Sequence, residues 1–140
     1  MSPAAPWLLF PDAIMTGVIL GVQLLVYPAF QYYEKDNLLQ WHKRYTRKIS
    51  ILVVPLMLAQ LLGGLHWYFS HPGIASGVYA GLISLLWGIT LLRFAPLHTK
   101  IGRGQADRIL LQQLIRENWY RTFLWIAAFI WHLSFWQFSS

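Results

Sequence analysis

Cysteine is absent from this chain. Its absence excludes a disulfide framework, a thiolate nucleophile, an iron–sulfur cluster and Cys-ligated zinc. Charge is nearly as scarce, at 11% of residues, and only five residues are carboxylates. Basic residues are missing altogether from 1–34, 49–92 and 122–140, where Asp12 and Glu34 are the only carboxylates. With 56% of its residues hydrophobic, a water-soluble fold of this composition would expose large apolar patches. No basic region precedes the first apolar run, which is also too long for a signal-peptide core. The sequence therefore predicts a retained span rather than a cleaved leader. His-Glu-x-x-His spacing is lacking, and no Ser/His/Asp arrangement is legible. Gly102-Arg103-Gly104 is too short for a phosphate loop and lacks its lysine.

What is present is four apolar segments, at about 7–33, 49–69, 74–95 and 122–138. Each has the length that a hydrocarbon core of roughly 30 Å asks of a helix. All eleven Lys and Arg fall in 35–48 and 93–121, while the connection 70–73 holds none. The positive-inside bias puts the first and third connections in the cytoplasm and both termini outside. The pI near 9.9 is thus a topology signal and an attraction for anionic lipid headgroups, with no nucleic-acid partner implied. The fold class is all-α: one domain over 1–140, an integral membrane four-helix bundle. Its second and fourth helices extend into the cytoplasm over about 37–48 and 107–121. Asp36 and Asp107 are the expected N-caps, and each of the two helices should run roughly 50 Å. Pro55 should kink the second helix and Pro96 should end the third. Trp67, Tyr68, Trp131 and Trp136 are expected as an outer aromatic belt, with Tyr32, Tyr33, Trp41 and Trp119 as the inner one.

Small residues lie four apart in the third span (Gly77, Gly81, Ser84 and Gly88) and in the first (Gly17 and Gly21). Such stripes let helix backbones approach closely, either within the bundle or at the interface of a homo-oligomer or larger membrane complex.

The polar residues also fall on stripes. Asp12, Thr16, Gln23 and Tyr27 lie within about 60° of one another on the first helix. His42, Thr46, Ile49, Val53, Gln60 and Trp67 align on the second, and Trp87, Thr90, Phe94 and His98 on the third. On the last helix Asn118, Thr122, Trp125, Phe129 and His132 align, with Arg121 beside them. Lipid is a poor environment for such stripes, so they should face the bundle interior. Gln23 and Gln60 sit near mid-membrane, where they either contact each other or meet a ligand. Tyr27, His42, Tyr45, Thr46, Thr90, His98, Asn118, Arg121 and Thr122 gather at the cytoplasmic boundary. The expectation is a cavity there, walled by Trp87 and Trp125, that takes a lipophilic small molecule.

His42, His98, Asn118 and Arg121 are the candidate catalytic residues, with histidine as ligand or proton carrier and Arg121 as anion or oxyanion partner. Two histidine pairs, His42/His98 and His66/His132, are conceivable as haem ligands. His42 and His98 are likewise the candidates for a non-haem metal, and Asp12 with His66 and His132 forms a second metal-like group. Each imidazole has the alternative of a simple hydrogen-bonded role. Arg121 needs a partner at the membrane boundary, for which Glu117 one turn back, Tyr27 or a ligand anion are the candidates. Arg44, Arg47 and Lys48 read as headgroup anchors or as a clamp for a phosphate-bearing lipid.

The octet Asn118-Trp119-Tyr120-Arg121-Thr122-Phe123-Leu124-Trp125, in a four-span chain of this length, resembles the small bacterial membrane proteins of the anthrone-oxygenase-like family. There an Arg-Thr pair opens the last span. The resemblance implies cofactor-poor oxidation of an aromatic or otherwise lipophilic substrate, with Arg121 and Thr122 as functional residues. Together with the charge pattern it implies a multi-pass protein of the bacterial inner membrane. Three functions remain open: a membrane oxidoreductase or other binder of a lipophilic ligand, a non-catalytic accessory or assembly subunit, and a small oligomeric transporter. The last has no inverted repeat in its favour.

Overall fold

Long runs with few breaking residues form long helices here. The structure, a computed structural model, describes residues 5–137. Among them are four helical rods and no strand: α1 (Pro6–Tyr32), α2 (Lys35–Ser70), α3 (Ile74–Gly102) and α4 (Arg108–Gln137). The expected end of the last span, Phe138, lies outside the described residues. The first three rods are each long and apolar enough to cross a membrane.

The helix ends follow local chemistry. Pro6 occupies the first turn of α1, where a missing N–H costs nothing. At α2 the cap is Glu34 and not Asp36. Glu34 is extended and its carbonyl accepts from the Leu38 N–H at 2.8 Å. Asp36 instead lies in the first turn, where a negative charge meets the positive end of the helix dipole. Asp107 caps α4 as its position suggests, its Oδ1 accepting from the Leu110 N–H at 2.7 Å. Gly104, between α3 and α4, has φ +78°, a conformation that side chains with a Cβ disfavour.

Neither Pro55 nor Pro96 ends its helix. The second helix stays α-helical through Pro55. The third does not end at Pro96 but continues to Gly102, and a widened turn makes this possible. A π-helical turn at Thr90–Phe94 precedes Pro96, and another at Val22–Val26 precedes Pro28, each ending two residues before its proline. A π turn changes which carbonyl each N–H addresses, so a proline just beyond it breaks the ladder where it is already interrupted. The two turns sit in similar sequences, Gly21-Val-Gln-Leu-Leu-Val-Tyr27 and Gly88-Ile-Thr-Leu-Leu-Arg-Phe94.

The rods form an up-and-down bundle in which α1 packs on α2 and α4, and α3 on α2 and α4. Two apolar clusters result. Phe30, Leu38, Phe94, Leu97, Ile101 and Leu114 fill the end that carries the basic residues. Leu8, Met15, Met57, Trp67, Tyr79, Ile83 and Trp125 fill the other. Trp67 belongs to this core and not to an exposed aromatic belt, because its ring lies over Tyr79 and His132.

The glycines that neighbouring helices pack tightly against are Gly63 and Gly64, which admit the side chains of Trp7, Leu8 and Tyr79. A Cβ on Gly63 would strike the Trp7 and Leu8 side chains, and one on Gly64 would sit 2.9 Å from the Tyr79 ring. At Gly17, Gly21, Gly81 and Gly88 a Cβ would meet nothing within 4 Å. Packing within the bundle therefore holds at Gly77, where a Cβ would meet the Tyr68 ring at 3.5 Å, and not at these four glycines.

Candidate functional site

Two groups of buried polar side chains lie along the bundle axis. In the half away from the basic residues, Asp12 of α1 is 1% exposed. Its Oδ1 accepts from Gln60 Nε2 and from the Tyr79 hydroxyl, each at 2.7 Å, and its Oδ2 lies 2.7 Å from His132 Nδ1. Each of the other three helices thus sends one side chain to this carboxylate, and both of its oxygens are engaged. Gln60 Oε1 accepts from the Trp125 indole at 3.2 Å. His132 meets Asp12 as expected, whereas His66 is exposed and takes no part, which removes the His66/His132 haem pair and the metal group drawn from Asp12, His66 and His132.

A second chain links the amides. Asn118 Nδ2 donates to Gln23 Oε1 at 2.9 Å, and Gln23 Nε2 donates to the Ile115 carbonyl at 3.1 Å. The expected Gln23–Gln60 contact is therefore not made, because each amide has a partner on α4 or at Asp12. Thr122 Oγ1 donates to the Asn118 carbonyl one turn back at 2.9 Å.

Toward the basic end lies a cavity of about 350 Å³ between α1, α2 and α3, with Arg121 of α4 reaching its wall. Tyr27, Tyr45, Thr46, Trp87, Thr90, His98 and Arg121 line it, together with the apolar side chains of Met15, Ile19, Val53 and Met57. Seven of the side chains that sequence reasoning assigned to a site thus meet around one space. His42, Gln23, Gln60, Asn118, Thr122 and Trp125 do not line it. Asn118 and Trp125 stand behind Arg121, and His42 stands behind His98. The Trp125 wall was misjudged: its indole is committed to Gln60, and its ring faces the Arg121 guanidinium at 5.2 Å. Sequence reasoning missed the apolar side of the cavity, since Met15, Ile19 and Met57 carry no polar signal.

Arg121 is 6% exposed, and no carboxylate among the described residues forms an ion pair with it. Glu117, one of its expected partners, turns to α3 instead: Arg93 Nε and Nη2 reach its two oxygens at 2.6 Å each. That fork-to-fork geometry is stronger than any an i,i+4 neighbour offers here, and Gln113 adds a third donor at 2.9 Å. Arg93 and Gln113 hold the Glu117 carboxyl below the usual carboxylate range. Arg121 is left with neutral partners: Asn118 Oδ1 at 3.3 Å, the Tyr27 hydroxyl and the ring of Phe94 at 4.4 Å, besides Trp125. Its Nε and the hydroxyl of Thr90 are buried with no hydrogen-bond partner in the structure.

Beside Arg121, Tyr27, His98 and His42 form a hydrogen-bonded chain. The Tyr27 hydroxyl is 2.9 Å from His98 Nε2, and His98 Nδ1 is 2.9 Å from His42 Nε2. Neutral imidazoles admit two arrangements, since hydrogen positions are inferred. In one, Tyr27 donates to His98 and His98 donates to His42, leaving the proton of His42 on Nδ1. In the other, every donor points the opposite way. The two differ by one proton passed along the chain, so the geometry is that of a short proton relay. At 2.9 Å the facing ring nitrogens of His42 and His98 are in hydrogen-bond contact with each other. No group of three or more His, Asp or Glu side chains suited to a metal occurs among the described residues.

No protein-family model matches this chain, and no curated protein and no solved structure shows significant similarity to it.

Proposed function

We propose that the chain is a four-span protein of the bacterial inner membrane that binds a lipophilic ligand in the cavity at Arg121. The basic connections face the cytoplasm in this reading, so both termini lie outside and the cavity sits in the cytoplasmic half. The apolar exterior supports the membrane placement: Phe10, Ile51, Ile74 and Leu92 are more than 70% exposed, which water would not tolerate in a patch of this extent. The observation that carries the ligand reading is Arg121 itself. A buried cation without an anion is costly and persists where it serves a purpose. Here it borders a space lined otherwise by neutral side chains, most of them apolar. The catalytic version of this reading is a membrane oxidoreductase acting on an aromatic or otherwise lipophilic substrate. The part that these residues would play is proton abstraction, with Arg121 stabilising the negative charge left on the substrate and His98, backed by His42, taking up the proton.

The test is to purify the full chain in neutral detergent and extract what it retains. A stoichiometric lipophilic compound is expected, and Val53→Trp, which fills the cavity, should abolish its retention. If no compound is retained, and if Val53→Trp raises thermal stability without altering the binding of any lipophilic probe, the cavity is a packing defect and the reading fails. A Soret absorption band in the purified chain would replace the cofactor-poor version with a haem protein.

One observation favours a second reading, an accessory subunit or homo-oligomer. Gly17, Gly21, Gly81 and Gly88 offer close-approach surface that no helix of this chain uses. Gly81→Leu would then dissociate a partner or a second copy that co-purifies.

A further inference from the structure

The cavity also specifies the kind of molecule that fits it; this inference rests on the ligand reading above. Its polar groups are rich in donors. A guanidinium has five N–H donors and no acceptor, and the Nε of Arg121 is among those unused. The Thr90 hydroxyl is unused as well, and both residues line the cavity. The described carboxylates that form ion pairs are engaged elsewhere, Asp12 with His132 and Glu117 with Arg93. What the site lacks is an anion with two acceptor oxygens. Arg121 is the single Lys or Arg on the cavity wall, so one negative charge balances it. A phosphate monoester carries about −1.5 to −2 at neutral pH and would leave charge uncompensated in an apolar surround. A carboxylate carries one charge and meets the flat guanidinium with two parallel hydrogen bonds.

The route of entry is also visible. Ser50 and Val54 of α2 and Leu91 and Ala95 of α3 line the cavity and are exposed on the outside of the bundle. The cavity therefore opens sideways between α2 and α3, onto the surface that meets lipid in the proposed placement. An apolar chain can lie in that opening while its head reaches Arg121. We propose that the ligand is a single-chain amphiphile with a carboxylate head. It enters between α2 and α3 and seats its two oxygens on Arg121, with Thr90 as an additional donor.

The experiment is saturation binding of radiolabelled dodecanoate, dodecanol and dodecyl phosphate to the full chain in neutral-detergent micelles, with empty micelles as background. Dodecanoate should bind at least tenfold more tightly than dodecanol, and more tightly than dodecyl phosphate. Arg121→Gln should bring dodecanoate down to the level of dodecanol, which is itself unchanged. Thr90→Val should weaken dodecanoate severalfold. Arg121→Lys, which keeps the charge, should retain most of the preference and guards against a folding defect in the glutamine variant. Equal binding of dodecanoate and dodecanol to the wild-type chain, or a preference that survives Arg121→Gln, overturns the carboxylate assignment while the pocket stands. Tighter binding of dodecyl phosphate overturns it in favour of a phosphate head. If none of the three probes binds, both the assignment and the ligand reading fall.

Discussion

Asp12 and Arg121 are both buried charges in the same bundle, and the fold treats them in opposite ways. Asp12 receives a hydrogen bond or ion-pair contact from each of the other three helices, all at 2.7 Å. Arg121 receives no carboxylate from the described residues, has only the neutral oxygens of Asn118 and Tyr27, and keeps an unused N–H at a residue that lines a cavity. A charge met from within by a donor from every neighbouring helix is a structural joint. A charge left incomplete at the wall of an open space is set up for something that comes from outside. The comparison also separates the two histidine clusters. His132 is held against a carboxylate, while His98 and His42 are held only by neutral partners that can exchange a proton.

The largest effect that would sharpen this contrast is at Asp12. Asp12→Ala leaves Gln60, Tyr79 and His132 without their shared acceptor, and breaking a buried pair in this way costs about 3–5 kcal/mol. The loss should appear as a much lower midpoint in thermal unfolding of the full chain in detergent. An unchanged midpoint would dissolve the distinction between joint and site.

Next in size is a pair of glycine substitutions. Tyr79 is fully buried and its hydroxyl is fixed on Asp12, so its ring has little freedom to yield to a new Cβ on Gly64. Gly64→Ala should destabilise by about 1–3 kcal/mol through overpacking. Gly81→Ala meets empty space and should stabilise by up to about 1 kcal/mol through helix propensity. The same unfolding experiment reads both, and equal effects would contradict the packing described for these helices.

The smallest effect concerns the Arg93–Glu117 pair at the surface of the basic end. The Glu117 carboxyl has a depressed folded pKa, so its contribution to stability is complete above the unfolded value and disappears as pH falls through the folded one. Stability should therefore decline slightly below the ordinary carboxylate range, and Arg93→Ala should remove that part of the decline. Since Arg93 is open to solvent, the effect should shrink with added salt. A decline identical in wild type and variant would show that Arg93 does not set the Glu117 carboxyl.

Much of the site was legible as direction and little of it as partnership. Helical periodicity puts Gln23, Tyr27, His42, Gln60, Asn118, Thr122, Trp125 and His132 on inward stripes, and all of these are buried. It carries no information about axial register between helices. That is why Gln23 was matched with Gln60 when it bonds Asn118, and why Glu117 was given to Arg121 when Arg93 reaches it from α3. A local i,i+4 rule names a possible partner, but a better-aligned fork on a neighbouring helix takes precedence. The continuation of α3 past Pro96 was hidden for a related reason, since a π turn leaves no mark in hydrophobic periodicity. The four-rod layout was legible because long uncharged runs admit few alternatives.

The account turns on whether Arg121 is kept for the fold or for a ligand, and the melting midpoint of Arg121→Gln, with and without dodecanoate, decides it. The variant without dodecanoate should melt no lower than wild type, because it loses an uncompensated buried charge. Saturating dodecanoate should raise the wild-type midpoint and leave that of the variant where it was. A variant that melts far below wild type, as Asp12→Ala is expected to, or that gains as much from dodecanoate, would show Arg121 to be another structural joint.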